Sequence, residues 1–226
     1  MRRLVILRPE PGASRSVERA RAMGVDATAM PLFRIEPVEW RAPEPGRFNG
    51  LLLTSANALR HGGEQLASVR ALPAYAVGTA TAEAARAAGF DLAASGEAGV
   101  ERLLGSLEPR LRLLHLCGEH RREPGAAAQQ ITAVPVYRAV PLPPPDGLRE
   151  IDGCVVAVHS PRAAARLAEL ADDAGLDRAS IGIAAISAEA ARAAGRGWQC
   201  VEAAERPDDG ALLALAARLC NNAGER

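Results

Sequence analysis

Thr81-Ala82-Glu83-Ala84-Ala85-Arg86-Ala87-Ala88-Gly89 recurs as Ser187-Ala188-Glu189-Ala190-Ala191-Arg192-Ala193-Ala194-Gly195, and the copies differ only at the first residue, a hydroxyl in both. Ala-rich helices can match by accident, so further pairs matter. Pro31-Leu32-Phe33-Arg34 matches Pro135-Val136-Tyr137-Arg138, with Pro37 and Pro141 following at the same distance. Leu52-Leu53-Thr54-Ser55-Ala56-Asn57-Ala58 matches Ala157-Val158-His159-Ser160-Pro161-Arg162-Ala163. All three pairs share an offset of about 105 residues, which marks an internal duplication.

Each half reads the same way outward from these anchors. An apolar strand (Leu4 to Leu7; Leu113 to Leu116) precedes a helix, and an extended segment follows (Met30 to Val38; Val134 to Leu142). A second strand (Gly50 to Leu53; Cys154 to Val158) runs into a helix behind Thr54-Ser55 or Ser160. A third (Tyr75 to Val77; Ile181 to Ile186) ends at the repeated Ala-rich helix. Short, continuous apolar runs are what parallel strands covered on both faces require. The alternation predicts an α/β fold: two doubly wound parallel-sheet domains of related fold joined by a two-stranded hinge. The hinge reading rests on two Pro-rich, polarity-alternating segments around the middle block, with Pro143-Pro144-Pro145 too stiff for a helix. It places residues 1–34 plus 143–226 in one discontinuous domain and 40–134 in the other, with 35–39 and 135–142 as the linker.

Composition narrows the function. The 226 residues carry a formal net charge of +0, without the basic surplus of a nucleic-acid binder. No apolar run is long enough to span a bilayer. Met1 to Pro9 reads as a first buried strand rather than a signal peptide, which predicts a cytoplasmic protein. Cys117, Cys154, Cys200 and Cys220 lack paired spacing and read as reduced, mostly buried thiols. All 27 basic residues are Arg. Without Lys there is no Schiff base and no ordinary P-loop, so cationic contacts fall to Arg and to backbone dipoles.

Four turns share one design, an apolar strand followed by Ser or Thr and then a helix: Thr54-Ser55, Thr79-Ala80-Thr81, Ser160 and Ser187. Such hydroxyls cap helices routinely. The same turns also lie at the carboxyl ends of parallel strands, where open α/β sheets bind ligands and helix starts favour anions. Together on two domains facing one cleft they suit a large polycarboxylate. No G-x-G-x-x-G is present. His115, Cys117 and His120, with Glu119 and Glu123, lack a second ligand cluster, and the reading is no metal. His61 and His159 show no nucleophile or acid partner. Tyr137, one of two tyrosines, sits on the hinge segment, either packed there or bordering the cleft.

The pattern resembles the uroporphyrinogen-III synthase family over essentially the whole chain. The residues that carry the resemblance begin with Leu7-Arg8-Pro9-Glu10, Pro31-Leu32 and Leu53-Thr54-Ser55-Ala56-Asn57-Ala58. Tyr75-Ala76-Val77-Gly78-Thr79-Ala80-Thr81-Ala82, Gly118-Glu119 with Arg122-Glu123, and Val136-Tyr137 follow. His159-Ser160-Pro161-Arg162, Ile186-Ser187 and Pro207 to Leu213 complete them. The resemblance implies a cyclising lyase of haem biosynthesis, free of metal and organic cofactor. It would close hydroxymethylbilane, through an azafulvene and a spiro intermediate, to uroporphyrinogen III with ring D inverted. It implies substrate contacts from Thr54, Ser55, Asn57, Gly78, Thr79, Thr81, Gly118, Arg122, Ser160, Arg162 and Ser187, with Tyr137 assisting hydroxyl departure. The chain departs from the family pattern at Cys117, often Arg, and at Ser187-Ala188-Glu189-Ala190, where adjacent threonines are common. The expected partner is the linear tetrapyrrole, bound by a monomer with transient hand-over from hydroxymethylbilane synthase; neither nucleic acid nor membrane is expected. The alternatives are a non-catalytic two-domain anion-binding protein and a small glycosyltransferase-like enzyme.

Overall fold

Apolar runs become interior strands where both faces find cover, and the chain does this twice. The computed structural model describes residues 1–96, 99–121, 125 and 127–221. It divides into two compact units, Met1–Arg34 with Pro141–Arg226 (unit 1) and Ile35–Val140 (unit 2).

In chain order the first elements are β1 (Leu4–Ile6), α1 (Gly12–Ala22), β2 (Ala27–Ala29) and β3 (Phe33–Pro37). Next come β4 (Gly50–Leu53), α2 (Asn57–His61), β5 (Ala74–Val77), α3 (Thr79–Ala87), β6 (Leu92–Gly96), α4 (Val100–Gly105), β7 (Arg112–Gly118) and β8 (Gln130–Pro141). The last are β9 (Val155–Val158), α5 (Pro161–Ala174), β10 (Gly182–Ala185), α6 (Ala188–Ala194), β11 (Cys200–Ala203) and α7 (Asp209–Asn221).

The sheet of unit 1 runs β11-β10-β9-β1-β2, all parallel. The second sheet runs β3-β8-β7-β4-β5-β6, parallel from β8 to β6. β3 pairs with β8 in the opposite sense: the Val38 amide donates to Val136, and the Leu142 amide to Leu32, so one index falls as the other rises. Reading β9-β10-β11-β1-β2 against β4-β5-β6-β7-β8 gives identical strand orders. Unit 1 is therefore the same arrangement with the chain started part-way round. This is why the repeat offset and the unit boundaries do not coincide.

Every residue of β1, β4, β9 and β10 is buried. Alternate residues face opposite layers. In unit 1 Leu4, Ile6, Val155 and Ala157 pack with Val17 and Ala20 of α1 and with Leu212, Leu213, Ala216 and Leu219 of α7. In unit 2 Leu51 and Leu53 pack with α2, α3 and Phe90, while Leu52 packs the other way with Leu103 and Leu104 of α4. Each such buried aliphatic side chain contributes about 1.5–3 kcal/mol. α5 shows the local logic of a helix: Ser160 caps it by accepting from the Ala163 amide at 3.1 Å, and Pro161 fits its first turn. Gly175 ends it in the left-handed region (φ 62°) that side chains avoid. Among the described residues no helix is long and apolar enough to cross a membrane.

Arg2 fastens the amino-terminal ends of this sheet. Its guanidinium donates to Gly153 O, Cys154 O and Ser180 O, each at 2.6 Å, and to the Gln199 side chain. Charge-assisted bonds of this kind rank among the stronger ones. Arg2→Met should lower the unfolding free energy by about 1–3 kcal/mol, read as a lower urea midpoint with unchanged slope. An unchanged midpoint would mean that β1 docks without this fastening.

Candidate functional site

Open α/β sheets bind ligands where neighbouring strands send their connections in opposite directions. In unit 2 that point lies between β4 and β7: β4 leads out to β5 and β6, and β7 leads the other way to β8. The candidate residues of this unit collect at its carboxyl end. Thr54 follows β4, and its Oγ1 meets His115 Nε2 of β7 at 2.9 Å. His115 is buried (2% exposed), and burial, with the charge of Arg121 adding, pushes its pKa down to about 4. The imidazole is neutral at physiological pH and serves as an anchor for the Thr54 hydroxyl. Among the described residues no group of three metal-ligating side chains gathers. Glu123 lies outside the described residues.

Tyr137 is paired in register with Gly118. A Cβ on Gly118 would stand 2.8 Å from Tyr137 Cε2 and 2.9 Å from Cζ, so glycine here makes room for the phenol ring. Burial raises the Tyr137 pKa, and a hydrogen bond with the Ser55 hydroxyl only partly offsets this. The phenol is thus protonated at neutral pH. His61 lies beside it, ring centroids 6.4 Å apart. Ser55 Oγ also accepts from the Asn57 amide at 3.2 Å, and Asn57 Oδ1 accepts from Arg60 at 3.0 Å. Gly78 precedes α3 at φ 83°, another glycine-favouring conformation, with Thr79 exposed and Thr81 buried. Arg122 lies outside the described residues. Its neighbour Arg121 acts on both Cys117 and His115.

The turns of unit 1 are built differently. Ser160 and Ser187 both use their hydroxyls to cap, accepting from Ala163 and Ala190, whereas the cap positions of α2 and α3, Ala56 and Gly78, make no side-chain cap bond. Arg162 places its guanidinium 4.9 Å from the centroid of the Phe33 ring, a cation–π contact. Phe33 is the repeat partner of Tyr137, and the two aromatics differ in surroundings: one lies under a guanidinium, the other over Gly118. His159 does have an acid partner: its Nε2 meets Asp209 Oδ1 at 2.9 Å, at the start of α7. Fifty residues separate the two, so spacing could not reveal the pair. The only sequence signal was the acidic first turn of an amphipathic C-terminal segment.

The family model for uroporphyrinogen-III synthase HemD matches residues 14–214. The chain belongs to the uroporphyrinogen-III synthase family. That is a family of haem-biosynthesis enzymes acting on a tetrapyrrole, and the lyase reading of the sequence stands with it. The fold is similar to that of uroporphyrinogen-III synthetase from Helicobacter pylori 26695. The identity is 17%, the match covers 97% of this chain and 100% of that one, and the TM-score is 0.63. A mutant uroporphyrinogen III synthase from the extremely thermophilic bacterium Thermus thermophilus is also similar, at 18% identity, 97% and 99% coverage and TM-score 0.51. No curated protein matches. Nothing in these likenesses favours a binding module or a glycosyltransferase.

Buried neutral histidines make a measurable prediction. The folded-state pKa of His115 lies below its unfolded value of 6.5, so its neutral burial stabilises fully above that pH. The contribution is lost as pH falls from 6.5 towards 4, about 3 kcal/mol for His115. His159, lowered first by burial, acts in the same direction. Denaturation at pH 7, 5.5 and 4.5 should show falling stability, flattened in His115→Gln. A wild-type profile flat over this range would contradict neutral burial.

Proposed function

We propose that this chain closes hydroxymethylbilane to uroporphyrinogen III, with Tyr137 assisting departure of the substrate hydroxyl. The observation that carries the reading is the meeting of a protonated phenol with Ser55 and Gly118 at the switch point of unit 2, in a chain of this family. In the reaction the C–O bond of the hydroxymethyl group breaks and water leaves, giving an azafulvene. The substituted carbon of ring D attacks the exposed methylene carbon, and the resulting spiro intermediate reopens and recloses with ring D inverted. A phenol that keeps its proton at neutral pH can donate a hydrogen bond to the departing oxygen, or the proton itself.

The substrate is a flexible polyanion that cyclises spontaneously to the wrong isomer, so its conformation must be fixed more than its bonds activated. Orientation alone can supply much of such a barrier. We assign the holding to Thr54, Ser55, Asn57, Gly78, Thr79 and Gly118 in unit 2 and to Ser160, Arg162 and Ser187 in unit 1, with Arg122 assigned from the sequence alone. Thr81 is assigned to shaping this turn: its side chain is buried and its amide donates to Gly78 O at 3.1 Å. Ser160 and Ser187, whose hydroxyls are engaged in capping, contribute first-turn amides. In the same proposal residues 35–39 and 135–142 act as linker, the protein works as a monomer, and substrate arrives by transient hand-over from hydroxymethylbilane synthase. Four free thiols support a reducing, cytoplasmic setting.

The test is a coupled assay resolving type I from type III uroporphyrinogen, run without added cofactor and after dialysis against a chelator. Predominantly type III product is expected; type I product alone from folded protein would overturn the reading. Tyr137→Phe keeps the ring over Gly118 and removes the donor. It should lower kcat by about 10²-fold or less, with KM nearly unchanged, because the substrate ionises readily by itself. A Tyr137→Phe enzyme with wild-type kcat would remove the phenol from the chemistry.

A further inference from the structure

At the carboxyl ends of β1 and β9, the switch point of unit 1, a single carboxylate gathers donors from three separate segments. Asp209 Oδ1 accepts from Ser16 Oγ at 2.7 Å, His159 Nε2 at 2.9 Å and Arg8 Nη1 at 3.0 Å, and Oδ2 accepts from Arg19 at 3.2 Å. Ser16 is fully buried, and the side chains of His159 and Asp209 are 8% and 14% exposed. Burial would raise the Asp209 pKa, but the bonds from His159 and Ser16 and the charge of Arg8 outweigh it and keep the carboxylate ionised. An ionised carboxylate needs a donor opposite it, so His159 presents Nε2–H.

The position of these partners is what exceeds a simple docking of α7. Arg8 begins the turn after β1, and His159 begins the turn after β9, immediately before Ser160, Pro161 and Arg162. In the repeat His159 matches Thr54, which His115 anchors in unit 2. Both units therefore tie down the first residue beyond the switch strand, one through a neutral imidazole and one through an ion cluster.

We infer that Asp209 is a positioning residue for substrate binding: through His159 and Arg8 it fixes the turn that carries Ser160 and Arg162. The inference rests on the function proposed above. Asp209→Asn should raise KM for hydroxymethylbilane about tenfold with kcat within about twofold. Asp209→Ala should behave alike, and formate should restore its KM by occupying the vacated cradle. His159→Gln, which keeps a donor towards Asp209, should stay near wild-type KM, while His159→Leu raises it about threefold; this pair supplies the test should the Asp209 variants not fold. Glu202→Gln breaks the exposed pair with Arg218 of the same helix as Asp209 and should leave KM unchanged. A wild-type KM in the Asp209 variants or in His159→Leu would overturn the inference. So would a KM rise that formate leaves untouched, or an equal rise in Glu202→Gln. A wild-type chain that forms no type III product is a different failure, that of the proposed function.

Discussion

Unit 1 exists only if Leu4–Ile6 finds Val155–Ala157, more than half the chain away. β1 lies between β9 and β2, so without it the sheet of this unit falls into a three-stranded piece and a lone edge strand. The energetic demand is met from both directions. The three residues of β1 are fully buried between two helical layers, and Arg2 gathers carbonyls from the neighbouring strand starts. Parallel pairing of this range is costly in chain entropy before any contact forms. The consequence for function is direct, because the insertion of β1 beside β9 creates the switch point at which Arg8 and His159 stand.

Burial then sets the protonation states at both switch points, and with them what each group can do. The same desolvation that lowers the pKa of His115 raises that of Tyr137, whose phenol would carry its proton at neutral pH in any case. Asp209 escapes it only because hydrogen bonds and guanidinium groups surround the carboxylate. A lone buried carboxylate would take up a proton instead. Removing one donor leaves the others, with the Arg8 and Arg19 guanidinium groups still facing the charge, so the cost should be near that of a single charge-assisted hydrogen bond.

The central strands were legible in the sequence because runs such as Leu51–Leu53 and Val155–Val158 are buried on both faces and cannot be anything polar. Their repetition gave the duplication, and the hydroxyl turns gave the ligand end of each sheet. Three of the edge strands were not legible. β2 (Ala27–Ala29), β6 (Leu92–Gly96) and β11 (Cys200–Ala203) are short and half-exposed, without a continuous apolar run, and only pairing with a neighbour makes them strands. Nor could the sequence separate a capping hydroxyl from an available one. Ser160, Ser187 and Thr54 read alike, yet the two serines cap Ala-rich helices while Thr54 turns towards His115; Ser55 does both, accepting from the Asn57 amide and lying at Tyr137. The Asp209 cluster was hidden for a simpler reason: its members come from three distant segments.

This division of hydroxyls bears on how a polyanion can be held without Lys. A capping Ser satisfies one first-turn amide and withdraws its own oxygen from ligand contact. What remains at α5 and α6 is the helix dipole, the other early amides and Arg162, whose guanidinium already rests on Phe33. At α2 the Ser55 hydroxyl accepts from the Asn57 amide and the Ser55 carbonyl from that of Ala58, whereas at α3 the cap position is Gly78, which has no side-chain oxygen and brings the backbone to its turn without a Cβ. In the proposed reaction the carboxylate arms need many weak, directional contacts, and the departing oxygen needs one proton donor. Amides that bind without titrating suit the first requirement over a wide pH range. A phenol that carries its proton, seated over a glycine that admits its ring, suits the second. On that proposal, the divergence of Phe33 and Tyr137 from a common repeat position separates the two tasks within one duplicated fold.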